Sequence, residues 1–380
     1  MTDDPKSGGS RASASRTGYR FFDATFTLET DSAAFAAGFD RAYGAFKSAE
    51  PVAGPVYRVT LGSPGESSAP EVTIAGEAWR STNREAIGIF AYNAILNAVT
   101  ARVRSHYLFH AAGLAAPAGG TQAGVILAGG SGLGKTTLTL ALAAQGAPGA
   151  PGYRAYSDDV AAVGRDDGQL YPFPRRLGVR EPNGAPGEKR LLDIDEIAPY
   201  GSQQTASCPA RFLFVLTGPA AGSAWYLLPE RVDDGLLASL RGVAGVLDLQ
   251  VLRGEPHPVL RAVLAAGAWP GVEPAIQAAC RRHDVLLFEI TRGPEGPPDF
   301  EAAPELAPLA PSEAAQALVG HLKGGPRSAL LSDEFGGSAA RLYLALAGTA
   351  AGMACYRLRV GRLDEMVRLI RGAVAGSAEA

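Results

Sequence analysis

The sequence predicts an α/β fold: a phosphate-loop (P-loop) core preceded by a small N-terminal α+β lobe. Three observations predict it. Gly129-Gly130-Ser131-Gly132-Leu133-Gly134-Lys135-Thr136 fits the pattern G-x-x-x-x-G-K-[ST] at every fixed position. It lies between a short apolar run, residues 123–128, and a run of good helix formers, residues 137–144, as a loop leaving a buried strand and opening a helix must. Strand-like and helix-like patterns then alternate both before and after it.

In chain order, residues 1–17 are polar and Ser/Gly-rich and read as a flexible tail, ending at about residue 18. Residues 19–28 alternate loosely, as a strand does. Asp31 is placed to cap a helix in which Phe35, Phe39, Tyr43 and Phe46 recur at helical spacing, a stripe expected in the core. Residues 56–61 and 71–79 read as two strands, and 84–104 as a long helix with Ile87, Phe90, Ile95 and Val99 on its apolar face. Residues 19–104 are therefore expected to form the lobe and a connecting helix, and 105–380 the P-loop domain.

That domain opens with a strand at 107–114, which carries His110, and continues into the strand before the phosphate loop. Gly146 and Pro148 stop the helix that follows. Residues 154–160 end in Ser157-Asp158-Asp159, a carboxylate pair where a magnesium-directed Asp is expected after a phosphate-loop helix. Residues 160–163 and 171–173 suggest a hairpin around Asp166-Asp167-Gly168. Arg175, Arg176 and Arg180 cluster just beyond it. Residues 211–216 and 224–228 are expected as strands, 232–266 as two helical stretches, 284–290 as a strand and 294–311 as an exposed linker. Helices at 311–322 and 336–353, a strand at 356–360 and an amphipathic helix at 363–374 close the chain.

The motif dictates its own chemistry. Glycines let successive backbone N–H groups point inward around phosphate oxygens, and the helix N-terminus adds partial positive charge. Residues 129–137, including Thr137, are the expected nucleotide cradle. Lys135 is expected at the β- and γ-phosphates, and the Thr136 hydroxyl on Mg²⁺ with one carboxylate of the Asp158-Asp159 pair. Arg175 and Arg180 are candidates for the charge on a transferring phosphoryl group. Asp193, Asp195 and Glu196 are read as a solvated turn. His106, His257, His283 and His321 are scattered without metal-ligand spacing and are expected to be structural or surface residues.

The order His110, phosphate loop, Ser157-Asp158-Asp159, then Arg175-Arg176-Leu177-Gly178-Val179 resembles the catalytic core of HPr kinase/phosphorylase. It also resembles that enzyme's smaller relatives, the HPr kinase-like peptide kinases of peptide-modification gene clusters. The closing run from Cys355 to Asp364 is similar to the C-terminal end of those relatives. The resemblance covers residues 105–218 and 354–370. It implies a P-loop core of the phosphoenolpyruvate-carboxykinase type and transfer of the γ-phosphate of ATP to a serine on a small protein or peptide. It also implies that His110 and Asp159 stand at the reacting centre, Asp159 accepting the serine proton and Asp158 near the metal. Two departures stand out. Phe173 occupies the place of a metal-binding glutamate, and the later arginine loop of the reverse, phosphorylase reaction has no match. The lobe and residues 230–310 do not match the bifunctional enzymes, so HPr itself is not the expected acceptor.

Composition narrows the classes further. Across 380 residues, 47% are hydrophobic, 19% are charged and the net charge is −3. This is a globular composition with no electrostatic footprint for nucleic acid or an anionic membrane. Cys208, Cys280 and Cys355 are expected as buried thiols in a reducing, cytoplasmic setting. Three readings of function remain. They are an ATP- and Mg²⁺-dependent kinase of a peptide, small protein or small hydroxylated molecule, a nucleotide-driven switch, and a nucleotide-binding module without catalysis. No guanine-specificity motif N-K-x-D and no transporter signature is found. Oligomerisation is left open.

Overall fold

The computed structural model describes residues 14–62, 69–118, 120–144, 152–173, 177–179, 190–192, 206–218, 221–254, 258–265, 267–294, 298–325 and 328–376. It is a mixed α/β structure of several sheets.

The N-terminal lobe starts earlier than the tail expectation allowed, because Ser15–Gly18 already pair with Thr27–Thr30. The single strand expected at 19–28 is a hairpin, β1 (Ser15–Phe21) and β2 (Ala24–Thr30), which turns at Phe22 with φ 57°. The helix α1 (Ala33–Tyr43) is capped by Ser32, whose hydroxyl accepts from Phe35 N at 3.2 Å. Asp31 does not cap it. Its two carboxylate oxygens instead accept from Leu61 N and Gly62 N, both at 2.8 Å, tying α1 to the end of β3 (Val56–Thr60). The strand expected at 71–79 is a second hairpin, β4 (Glu71–Ile74) and β5 (Glu77–Arg80), turning at Ala75-Gly76, both with positive φ. These strands make one sheet in the order β1-β2-β3-β4-β5, with α2 (Arg84–Thr100) across it. Phe35, Phe39 and Tyr43 are buried as expected.

The strand expected at 107–114 breaks at His110 into β6 (His106–Phe109) and β7 (Ala111–Ala118). The break lets β6 pair with one strand and β7 with others in the same sheet. β8 (Thr121–Ala128) leads into the loop, and α3 (Lys135–Ala144) leaves it. Next come β9 (Arg154–Ser157), the hairpin β10 (Ala161–Gly164) and β11 (Gln169–Tyr171), the short pair β12 (Leu177–Val179) and β13 (Arg190–Leu192), and β14 (Cys208–Thr217). The expected helix stop at Gly146 and Pro148 and the residues Arg175, Arg176, Arg180, Asp193, Asp195 and Glu196 lie outside the described residues.

β15 (Ala221–Pro229) begins a separate four-stranded sheet. Of the two helices expected at 232–266, only α4 (Asp234–Arg241) forms. The rest is β16 (Val246–Arg253) and β17 (Val259–Leu264), antiparallel partners. Around Leu249 and Leu260 the apolar run buries side chains against α4 and against α5 (Trp269–Arg282), a helix the sequence reading missed. β18 (Leu287–Pro294) completes the order β16-β17-β15-β18. Residues 305–308 of the expected linker form β19 (Glu305–Pro308), which is followed by α6 (Pro311–His321), α7 (Ala339–Ala351), β20 (Ala354–Arg359) and α8 (Leu363–Gly376).

In the central sheet β14 runs parallel to both β8 and β20, while β7 is antiparallel to β8 and β9. One face packs Leu138 and Leu142 of α3 with Met366, Val367 and Ile370 of α8. The other packs Leu318 of α6 with Leu342 and Leu346 of α7. Both faces being covered explains the continuously apolar β8 and β14. The lobe joins this core through shared apolar packing that includes Val160, Ala162 and Phe173. Cys208, Cys280 and Cys355 are free and buried. Among the described residues no helix is long and apolar enough to cross a membrane.

Phe173 is fully buried, its ring 5.8 Å from Phe21, 6.2 Å from Phe22 and 5.3 Å from Phe46. It therefore joins lobe to core. Phe173→Ala is expected to cost about 3–5 kcal/mol, read as a lowered denaturation midpoint. A change under about 1 kcal/mol would show that this contact does not hold the lobe in place.

Candidate functional site

The phosphate loop is shaped by its glycines. Gly132 and Gly134 have φ of 84° and 80°, in the left-handed region that side chains resist. Gly129 passes so close to β14 that a Cβ would stand 2.8 Å from Leu216 Cβ. Lys135 is buried, and its ammonium donates to the carbonyls of Gly129 at 2.8 Å and Gly130 at 3.0 Å. The side chain thus folds back over the loop's own concavity. Leu138 N donates to Gly134 O at 2.8 Å, so the helix starts directly from the loop.

β9 delivers the acidic pair two strands away from β8, with β7 between them. The hydroxyl of Ser157 accepts from Asp159 N at 3.3 Å and Val160 N at 3.1 Å, turning the backbone sharply at the strand end. Asp158, which is buried, accepts the Thr136 hydroxyl at Oδ2, 3.0 Å. Asp159 faces a different set of partners. Its Oδ1 lies 2.9 Å from His110 Nδ1, and its Oδ2 accepts from Lys323 Nζ at 2.9 Å.

Lys323 and His321 are the residues that sequence reasoning missed. His321 ends α6 and Lys323 lies two residues on, in a strap that crosses the break between β6 and β7. His110 N donates to His321 O at 2.6 Å, and Lys323 N donates to Leu108 O at 2.7 Å. His321 thus contributes its backbone carbonyl beside the site, and its imidazole is largely buried. Burial, then the nearness of Lys135 and His110, push its imidazole down to about 4. The only sequence signal was a His and a Lys two apart at the end of an apolar helix, which is weak by itself. Of the other histidines, His106 stacks on Phe22 at 3.8 Å and His283 meets Ser239 Oγ at 2.7 Å, both away from the loop. His257 lies outside the described residues.

The arrangement brings Lys135, Thr136, Asp158, Asp159 and His110 together as expected. Arg175 and Arg180 lie outside the described residues, but the backbone of β12, between them, runs beside α3. The donor set near Thr136 is one hydroxyl and one carboxylate. Among the described residues no group of three or more His, Cys, Asp or Glu is arranged to hold a metal. Two hard oxygens fit Mg²⁺, which keeps water and takes its remaining ligands from phosphates. They do not suit a metal held by protein alone. Lys135, folded over the loop, supplies a positive charge that suits a polyanion there.

No family model matches the chain, and no curated protein matches it.

A histidine depressed in the folded state is protonated first in the unfolded chain. Its stabilising contribution is complete above the ordinary value near 6.5 and is lost as pH falls toward 4. Melting temperatures should therefore fall across that interval more steeply for the wild type than for His321→Gln. Parallel slopes would contradict the burial of a neutral imidazole at this position.

Proposed function

We propose that the chain is an ATP- and Mg²⁺-dependent kinase with a P-loop core of the HPr kinase type, transferring the γ-phosphate to a serine hydroxyl of a peptide or small protein. The observation that carries this is the Thr136–Asp158 hydrogen bond. It couples the phosphate loop to a carboxylate pair whose other member is paired with His110. A loop that only binds nucleotide has no need of a proton-accepting pair at this position. The order of these residues, resembling the HPr kinase-like enzymes, supports the same reading.

In this reading the backbone amides of residues 129–137 hold the triphosphate. Lys135 leaves the carbonyls of Gly129 and Gly130 for the β- and γ-phosphate oxygens. Thr136 and Asp158 would hold Mg²⁺, which when bound supplies charge neutralisation on those oxygens. The His110–Asp159 pair accepts the proton. Nδ1–H donates to Asp159 Oδ1, which holds the tautomer that leaves a lone pair on Nε2 for the serine hydroxyl. As the serine oxygen bonds to the γ-phosphorus, the bond from that phosphorus to the bridging oxygen breaks. ADP leaves with that electron pair, and the hydroxyl proton goes to the His110–Asp159 pair. Lys323 keeps Asp159 oriented from its other oxygen.

The test is incubation with γ-labelled ATP, Mg²⁺ and candidate acceptor peptides encoded beside the gene, followed by mass spectrometry. The wild type should label a serine, and Lys135→Ala should abolish labelling and weaken ATP binding. Asp159→Asn and His110→Ala should keep ATP affinity and lose about 100- to 10,000-fold in transfer. Near wild-type transfer by Asp159→Asn would overturn the roles given. Release of inorganic phosphate with no labelled acceptor would favour a nucleotide-driven switch.

A further inference from the structure

On the side of the phosphate loop away from the acidic pair stands Phe300, 41% exposed. Its Cε1 lies 3.6 Å from where a Cβ on Gly134 would be, so the ring flanks the loop itself. An exposed phenyl usually sits on a loose segment, but this one is pinned. Asp299 Oδ1 accepts from Glu301 N at 3.0 Å and Ala302 N at 3.1 Å. Ala302 O accepts from Arg362 N at 2.9 Å, and Glu301 O accepts from Arg362 Nη1 at 3.2 Å. Gly361 packs so tightly there that a Cβ would stand 2.3 Å from Ala302 O and 2.7 Å from Pro304 N. The segment thus rests on the turn between β20 and α8.

The sheet order gives the position meaning. β9 and the acidic pair lie to one side of β8, and β14 and β20 to the other. A triphosphate whose γ-end meets Asp159 extends its nucleoside end toward β14 and β20. On that rim Leu133 of the loop packs beside Gly218 of the β14 end, where a Cβ would stand 2.7 Å from Leu133 Cδ2 and 3.8 Å from Val360 Cγ2. An aromatic face held rigidly in water at that rim loses little conformational entropy on stacking.

We infer that Phe300 forms the nucleobase subsite, stacking its ring on the base of the bound nucleoside triphosphate. This rests on the kinase reading for the direction in which the nucleotide lies. Stacking on an aromatic ring accounts for about 1–3 kcal/mol per base, so loss of the ring should weaken binding about fivefold or more.

The experiment compares MgATP with inorganic tripolyphosphate, which has the phosphates and no base, by calorimetry on the full chain. Phe300→Ala should weaken MgATP about fivefold or more and leave tripolyphosphate unchanged, and Phe300→Tyr should restore MgATP binding. Phe300→Trp should report MgATP, but not tripolyphosphate, as a change in indole fluorescence. Equal MgATP affinity in Phe300→Ala and wild type overturns the subsite. Equal losses for both ligands also overturn it, since they show that the ring only supports the loop. If wild type binds neither ligand, the nucleotide-site reading fails and this inference falls with it.

Discussion

Asp159 is held at both carboxylate oxygens by side chains from distant parts of the chain, and the rest of the site depends on that double grip. His110 comes from the break between β6 and β7, and Lys323 from the strap that follows α6. The pair with Lys323 is mostly sheltered, with side-chain exposures of 12% and 23%. Removing one member of such a pair leaves the other incompletely compensated in a poorly solvated place. His110 and Lys323 together therefore define where the carboxylate points. That direction separates its work from that of Asp158, which is turned to Thr136.

The fold supplies this geometry through one irregularity in an otherwise regular sheet. If β6 and β7 were continuous, His110 would be an ordinary strand residue with its N–H in a ladder. Instead its N–H is satisfied by His321 O. The backbone accounting closes across the strap, and the strap in turn carries Lys323 to Asp159. On the opposite side, close packing at Gly129 brings β14 against the loop. Covering helices on both faces keep the sheet rigid beneath them, so the site rests on strand ends and a helix start.

The local parts of this arrangement were legible in the sequence. The glycines, Lys135 and Thr136 announce a loop because each serves a local geometric need. The acidic pair was readable from its place after the phosphate-loop helix. The strand break at His110 was not, since Tyr107 to Leu114 is a nearly continuous apolar run that reads as one strand, and only tertiary pairing divides it. Lys323 and His321 were invisible for the same reason, being some 160 residues from the pair they serve. The Leu- and Val-rich stretch after residue 242 was read as helix because apolar runs of that length carry no decisive period. Pairing with β15 through β17 decided it. Phe173, expected from the resemblance to stand in place of a metal-binding glutamate, is fully buried among the lobe's aromatic rings. That leaves Thr136 and Asp158 as the hard-oxygen donors beside the loop.

The proposed kinase and a nucleotide switch share the cradle and differ only in where the phosphoryl group ends. Phosphorus NMR of the purified protein with MgATP and a serine-bearing acceptor peptide reads that partition directly. The account predicts that a phosphomonoester resonance grows in step with ADP. Growth of inorganic phosphate in step with ADP, with no phosphomonoester, would contradict it.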